Sequence, residues 1–328
     1  MRPSPIVPSV DFEAKGRQHG HLRLPHSRDD SAWGSVMIPV TVVAGAPGPT
    51  ALLTGANHGD EYEGPLALFE LARLLDPETV TGRIIIVPAL NYPAFRAGTR
   101  TSPIDRGNLN RLFPGRPDGS VSEKIADFVT RELLPRADIV LDFHSGGRTL
   151  DFLPFAAAHE HPDRDLEARA MDAVAAFGAP YSVRMREIDA VGMFDTTAEG
   201  MGKVFVTTEL GGGGTARAAT ARIAREGAVN LLRHAGILPG AVEARAPRWL
   251  DMPEGCFSFA PRDGLFETMM DLGAPVAAGQ VIARIHAVDR TGVAPEEIRA
   301  EIGGILAARH FPGLIQGGDC AAVVAVPA

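Results

Sequence analysis

Thr50-Ala51-Leu52-Leu53-Thr54-Gly55-Ala56-Asn57-His58-Gly59-Asp60-Glu61 begins as a short apolar run and ends on a cluster of polar, chemically able side chains. The run Thr50 to Leu53 is leucine-rich and stops at a glycine, which predicts a buried strand with the polar cluster just beyond its carboxyl end. The same pattern recurs three times. Ile84 to Val87 leads to Asn91-Tyr92-Pro93-Ala94-Phe95, and Ile139 to Leu141 leads to Asp142-Phe143-His144-Ser145-Gly146-Gly147. Val204 to Thr207 leads to Thr208-Glu209-Leu210 and then to the glycines Gly211 to Gly214. Ligands of open α/β sheets collect beyond the carboxyl ends of the strands, so these four segments are expected to converge on one crevice.

Between the strands lie helical stretches. Pro65 to Leu75 carries apolar residues at Leu66, Phe69, Leu71 and Leu74 behind a proline suited to a first turn. Ser122 to Leu134, Asp165 to Phe177 and Ala216 to His234 read as three more helices, and Ser35 to Val43 as an earlier strand. The alternation predicts an α/β domain over residues 1–246, a sheet covered by helices. From Pro247 the texture changes to short apolar runs punctuated by glycine, with one helix-like insert at Pro295 to Ala300. Gly264-Leu265-Phe266, followed by Val276 and by Gly279 to Ala283, is echoed 39 residues later by Gly303-Gly304-Ile305, followed by Ile315 and by Gly318 to Ala322. This repeat predicts two interlocked β halves, a small all-β domain over residues 247–328 that resembles the barrel-sandwich fold of biotinyl and lipoyl carriers. Such carriers need a lysine, and none follows Lys203. An accessory wall, lid or oligomer contact is expected instead.

Composition removes several classes of function. At 328 residues, 45% hydrophobic and 22% charged, the chain is globular and neither disordered nor fibrous. Its apolar runs fall far short of the roughly 20 residues that span a bilayer, so no membrane partner is expected. The 32 basic against 40 acidic residues are interspersed and sum to −8, which argues against nucleic acid. Two cysteines, Cys256 and Cys320, make no disulfide framework and no four-cysteine zinc site. The opening Met1 to Pro5 lacks the features of an export signal, so a cytoplasmic protein is expected.

The candidate chemistry lies in the strand-end clusters. His58 and Glu61 are three apart, so a tight turn brings an imidazole nitrogen and a carboxylate oxygen to one side. His144 from a neighbouring strand end completes a His-Glu-His set with a fourth zinc position open for water, as in catalytic zinc sites. A carboxylate is still needed to move the proton, and Glu209 stands at the end of another strand. Each residue alone has a structural explanation; the joint pattern is much harder to reach by chance. Gly211 to Gly214 reads as a flexible turn more readily than as an anion cradle, and Ser145 lacks the Gly-x-Ser-x-Gly elbow of a serine hydrolase. His159, His161, His286 and His310 have no partner spacing and are expected to be surface or structural.

Asn57 to Glu61, Asn108-Leu109-Asn110-Arg111-Leu112-Phe113-Pro114-Gly115, Asp142 to Gly147 and Thr208-Glu209, in that order, resemble the succinylglutamate desuccinylase/aspartoacylase family, relatives of the zinc carboxypeptidases. The resemblance covers essentially the whole chain. Met1 to Ile6, Ser27 to Ser35 and Phe95 to Pro103 point within it to the bacterial branch that deacetylates N-alpha-acetyl-L-2,4-diaminobutyrate in ectoine breakdown.

The resemblance implies a zinc-carboxypeptidase-like mixed sheet and one Zn2+ per chain on His58, Glu61 and His144. It implies that Glu209 activates water and then protonates the leaving amine, and that Arg100 steadies the oxyanion. Asn110 and Arg111 are implied to grip the substrate α-carboxylate. The expected activity is deacetylation of a small N-acyl amino acid, with a homo-oligomer among the expected assemblies. The alternatives are an aspartoacylase, a succinylglutamate desuccinylase, a metallocarboxypeptidase, or a binding protein with a degenerate enzyme domain. One departure stands out: the family often has Asp-Leu-Asn-Arg, and Asn108 takes the place of the aspartate. Any ion pair of that aspartate is therefore absent or supplied elsewhere.

Overall fold

The computed structural model describes residues 2–185, 191–243 and 246–328, so Met1 of the opening run lies outside the described residues. In chain order the first part forms β1 (Val7–Pro8), β2 (Gly16–Pro25), β3 (Ser35–Ala44), β4 (Ala46–Thr54), α1 (Glu63–Leu74), β5 (Thr81–Val87) and α2 (Tyr92–Ala97). It continues with α3 (Val121–Phe128), β6 (Ile139–Asp142), β7 (Leu150–Phe152), β8 (Phe155–His159), α4 (Arg164–Phe177), β9 (Tyr181–Met185), α5 (Phe194–Gly200), β10 (Val204–Glu209) and α6 (Ala218–His234). Local chemistry sets several of these ends. Ser120 and Glu123 form a reciprocal capping box at the start of α3, and Asp163 caps α4, which stops at Gly178 in the left-handed region.

The sheet is mixed, as expected. Its central order is β3-β5-β4-β6-β10-β8-β9, with β5, β4, β6 and β10 parallel to one another and β8 antiparallel to β10. Leu53 stands beside Leu141, and Leu141 beside Val206; Leu52 stands beside Val140, and Val140 beside Phe205. Because successive side chains alternate across a strand, the first row packs under α1, α4 and α6, and the second under α3, α5 and the N-terminal arm. Both rows are buried, which is why these strands read as unbroken apolar runs.

The buried stripe of α1 differs from the predicted one. Pro65, Ala67, Leu68, Leu71 and Ala72 face the core, whereas Leu66, Phe69 and Leu74 are exposed. Small residues on this helix let it approach the sheet closely, a preference the apolar pattern alone does not encode.

From Arg248 on, every element is a strand: β11 (Arg248–Asp251), β12 (Phe257–Phe259), β13 (Gly264–Thr268), β14 (Pro275–Val276), β15 (Val281–His286), β16 (Glu296–Arg299), β17 (Gly304–His310), β18 (Leu314–Ile315) and β19 (Cys320–Pro327). Pro295 to Ala300 is thus no helix. Glu296 to Arg299 pairs antiparallel with β15, and that ladder overrides the helix preference of its glutamates. The 39-residue repeat is visible in the pairing. β13 pairs with β15 and β17 with β19, while the short strands cross over: β14 pairs with β17 and β18 with β13. Residues of both halves, among them Ile282, Ile285, Leu306 and Val324, share one core.

This part is also hydrogen-bonded to the first, since β11 lies parallel to β9 and antiparallel to β19, and β7 pairs with β17. Among the described residues no helix is long and apolar enough to cross a membrane.

Candidate metal centre

Three parallel strands end side by side, with Thr54 of β4 and Thr207 of β10 flanking Asp142 of β6. The chain leaving β4 turns through Ala56 at φ 51° and delivers His58 and Glu61 before α1 begins. Gly59 in this turn packs so tightly on α2 that a Cβ there would lie 2.0 Å from the backbone of Ala94. Only glycine admits that approach.

His58 Nδ1 lies 2.9 Å from Glu61 Oε1, and His144 Nδ1 lies 3.1 Å from Glu61 Oε2. All three residues are buried, and their candidate ligand atoms fall within 4.8 Å of one another. The far nitrogen of each ring is held as well. His144 Nε2 is 2.8 Å from Asp142 Oδ2, and His58 Nε2 is 3.1 Å from Asn108 Oδ1. Outer partners of this kind fix ring orientation and leave the near nitrogen free for a cation. The carboxylate of Asp142 is itself pinned, accepting from Thr54 Oγ1 at 2.6 Å and Asn57 Nδ2 at 3.0 Å. Asn108 therefore occupies the position of the family's frequent aspartate with a neutral hydrogen bond, and no ion pair forms there.

The electrostatics fit a cation. Burial works against the charge of Glu61, but the two imidazoles facing its oxygens outweigh it and hold the carboxyl well below its usual range. Burial lowers His58, only partly offset by Glu61. Burial also opposes charge on His144, yet Asp142 and Glu61 together raise it well above the usual imidazole value. Positive charge at this point is therefore favoured by the surrounding carboxylates, as a divalent ion held there would supply. Glu209, at the end of β10, is pushed up to about 8 by burial and then by the charge of Glu61, against His144 and Arg100. Its Oε2 is buried with no hydrogen-bond partner among the described residues.

The remaining predicted residues gather nearby. Arg100 Nη1 is 3.5 Å from Glu61 Oε1, with its side chain half exposed. Asn110 and Arg111 lie on the short turn Leu109–Arg111, directly after the Asn108 that holds His58. Asn110 is buried, and its Oδ1 accepts from the Phe194 N–H at 3.0 Å, which leaves its NH2 group free to donate. The guanidinium of Arg111 is exposed and donates to the Asn110 carbonyl at 2.7 Å.

In the sequence Asp142 and Asn57 stand only as members of motifs, and Asn108 as a departure from the family's aspartate. The signal for Asp142 was its place two residues before His144, since positions i and i+2 of an extended chain share a face. Glu63 gave no such signal. It is buried behind Glu61, pushed up to about 7 mainly by burial, and accepts from Thr220 Oγ1 at 3.1 Å. The run Gly211 to Gly214 is a packed turn, with the N–H groups of Gly213 and Gly214 donating to the carbonyls of Leu150 and Gly147. Among the other histidines, His159 and His310 are buried, the first against Glu199 and the second donating to the Leu314 carbonyl.

Residues 47–235 match the succinylglutamate desuccinylase/aspartoacylase catalytic domain. The chain belongs to this family. It is 56% identical to the N-alpha-acetyl-L-2,4-diaminobutyric acid deacetylase of Halomonas elongata, over 99% of this chain and 96% of that protein. The product-bound structure of the ectoine utilization protein EutE (DoeB) from Ruegeria pomeroyi superposes with a TM-score of 0.97 at 61% identity, covering 99% of this chain and all of the other. A structure from Silicibacter described as a succinylglutamate desuccinylase superposes with a TM-score of 0.98 at 60% identity, over the full length of both chains. The likeness to these family members therefore extends through the C-terminal strands.

Proposed function

We propose that this family member hydrolyses N-alpha-acetyl-L-2,4-diaminobutyrate to L-2,4-diaminobutyrate and acetate, using one zinc ion per chain. The observation that carries this reading is the convergence of His58, Glu61 and His144 on one buried point, with both rings braced from behind, in a chain that matches a deacetylase along its whole length. A zinc ion at that point would polarise the amide carbonyl and make water more acidic.

The chain's own groups supply the rest. Glu209, with an unpartnered Oε2, takes a proton from the attacking water as the new C–O bond forms, and returns it to the amine nitrogen as the C–N bond breaks. Glu209 must be ionised for this first step, and positive charge held by His58, Glu61 and His144 would favour that form. Arg100 presents a guanidinium beside the cluster, suited to the oxygen that becomes negative, a contribution of a few kcal/mol in comparable sites. Asn110 and Arg111 bind the substrate α-carboxylate through the free NH2 group and the exposed fork.

A second reading, a succinylglutamate desuccinylase, is favoured by the name of the Silicibacter relative. Metal content and acetate release, measured before and after chelation and zinc return, test the first reading, with acetyl-aspartate and succinyl-glutamate run beside acetyl-diaminobutyrate. Zinc near one per chain with chelator-sensitive, zinc-restored acetate release is expected. Faster turnover of another substrate would replace the deacetylase assignment, and bound zinc without any hydrolysis would favour a binding protein.

Residues 1–246 are read as the deacylase domain and 247–328 as an accessory β domain of barrel-sandwich type, a division supported by the crossed pairing and shared core of the two β halves. Two unpaired cysteines suit a cytoplasmic protein. The exposed Trp33, Leu66, Phe69 and Leu74 suit a homo-oligomer, which sizing in solution tests.

A further inference from the structure

Asp151 is buried and has no part in the chemistry above, yet it stands where three segments of the chain meet. It lies on β7, which continues from the loop after His144. Its backbone bridges to Gly212, three residues beyond Glu209, and it stands directly opposite Arg309 on β17. Its Oδ2 accepts from Arg217 Nη2 at 2.5 Å and faces Arg309 Nη2 at 3.6 Å. The two loops it joins are laced together by their own backbone: Leu210 donates to the His144 carbonyl at 3.1 Å, and Gly146 and Phe152 both donate to the Gly211 carbonyl. The C-terminal half presses on the same place. Phe311 donates its N–H to the Thr149 carbonyl, and its ring lies where a Cβ on Gly213 would come within 2.6 Å.

We propose that Asp151, clamped between Arg217 and Arg309, is a positioning residue through which the C-terminal β half sets the spacing of His144 and Glu209. Without the carboxylate, the partly exposed guanidinium groups of Arg217 and Arg309 lose the buried anion that draws them together, and the loops behind the two residues loosen. A small displacement of reacting groups costs far more in rate than in binding.

The kinetic part of the test rests on the amidohydrolase reading, and the exchange part does not. Asp151→Asn, Arg309→Gln and Arg309→Lys would be compared with the unaltered protein, zinc-loaded and well below the melting temperature. For Asp151→Asn, kcat is expected to fall on the order of 10-fold, with KM nearly unchanged and zinc still bound. Arg309→Gln should move the same way, and Arg309→Lys should recover most of the loss. Amide hydrogen exchange should quicken over residues 144–153 and 209–215 and stay unchanged in β4 and β5.

Unchanged kcat and exchange in a folded Asp151→Asn protein would overturn the proposal, as would a loss of rate accounted for by lost zinc or unfolded chain. Should Asp151→Asn fail to fold, Arg309→Gln carries the same test from a partly exposed position. Should the unaltered protein turn over no acyl amino acid, the substrate reading fails and exchange alone decides the clamp.

Discussion

The ends of the parallel strands and the paired β halves of the C-terminal part are both well packed, but they bury different things. At the strand ends, Asp142, His58, Glu61, Glu63 and His144 lie close together, and the charges of Glu61, Glu63 and Glu209 are coupled. In the C-terminal halves the shared interior is built on Ile282, Ile285, Leu306, Val324 and similar side chains, and the buried His310 beside it is tied to a backbone carbonyl. Burial of charge costs several kcal/mol unless it is matched, and packing of hydrocarbon stabilises by about 25 cal/mol per Å2. The first region therefore holds unfavourable groups together for chemistry, and the second supplies stability that helps to hold them.

Substitutions break or sharpen that contrast. The largest effect is expected for His144→Ala, which removes a ligand and the partner of Asp142. Zinc and turnover should vanish together, with activity down by a factor on the order of 10^4 or more, followed by metal analysis and acetate release. Full zinc with full turnover would remove His144 from the site. Next is Glu209→Gln, expected to keep zinc while kcat falls roughly 10^3-fold, read on the metal-loaded variant. Unchanged turnover there would take Glu209 out of the proton path.

Ile285→Ala tests the other region. Deleting this buried side chain should cost about 2–5 kcal/mol of stability in denaturant, while kcat and KM of the folded protein stay as they were. A changed kcat would show that β13 and β15, and not β17 alone through Arg309, are coupled to the chemistry.

The smallest effect is expected for Glu63→Gln in the metal-free protein. Glu63 keeps its proton in the folded state up to about 7, whereas the unfolded chain gives it up near the ordinary carboxyl value. Over that interval the folded state binds more protons, so this group's contribution to stability is full at low pH and is lost as pH rises through the folded pKa. Glu63→Gln should remove that slope and be the more stable protein at pH 8 relative to pH 4, by at most about 3 kcal/mol. Equal unfolding free-energy differences at the two pH values would show that Glu63 is ionised in the folded state.

The strands were legible because Thr50 to Leu53, Ile139 to Leu141 and Val204 to Thr207 are buried on both faces and so carry no polar interruption. Glu296 to Arg299 was not legible as a strand, because its partner β15 is distant in pattern and its own residues favour a helix. Nor was the buried face of α1, where small residues do the packing and large ones point outward.

By itself the sequence determined the four parallel strands, the interlocked repeat and the candidate set His58, Glu61, His144 and Glu209, because apolar runs, glycine turns and polar strand ends are local properties. Only the tertiary structure decided what stands behind those residues. Asn108 reaches His58 across 50 positions, Thr54 reaches Asp142 across 88, and Asp151 meets Arg217 and Arg309 from three separate parts of the chain. The orientation of a ring nitrogen or the proton held by a carboxyl depends on such neighbours, and strand pairing, not sequence spacing, brings them within reach.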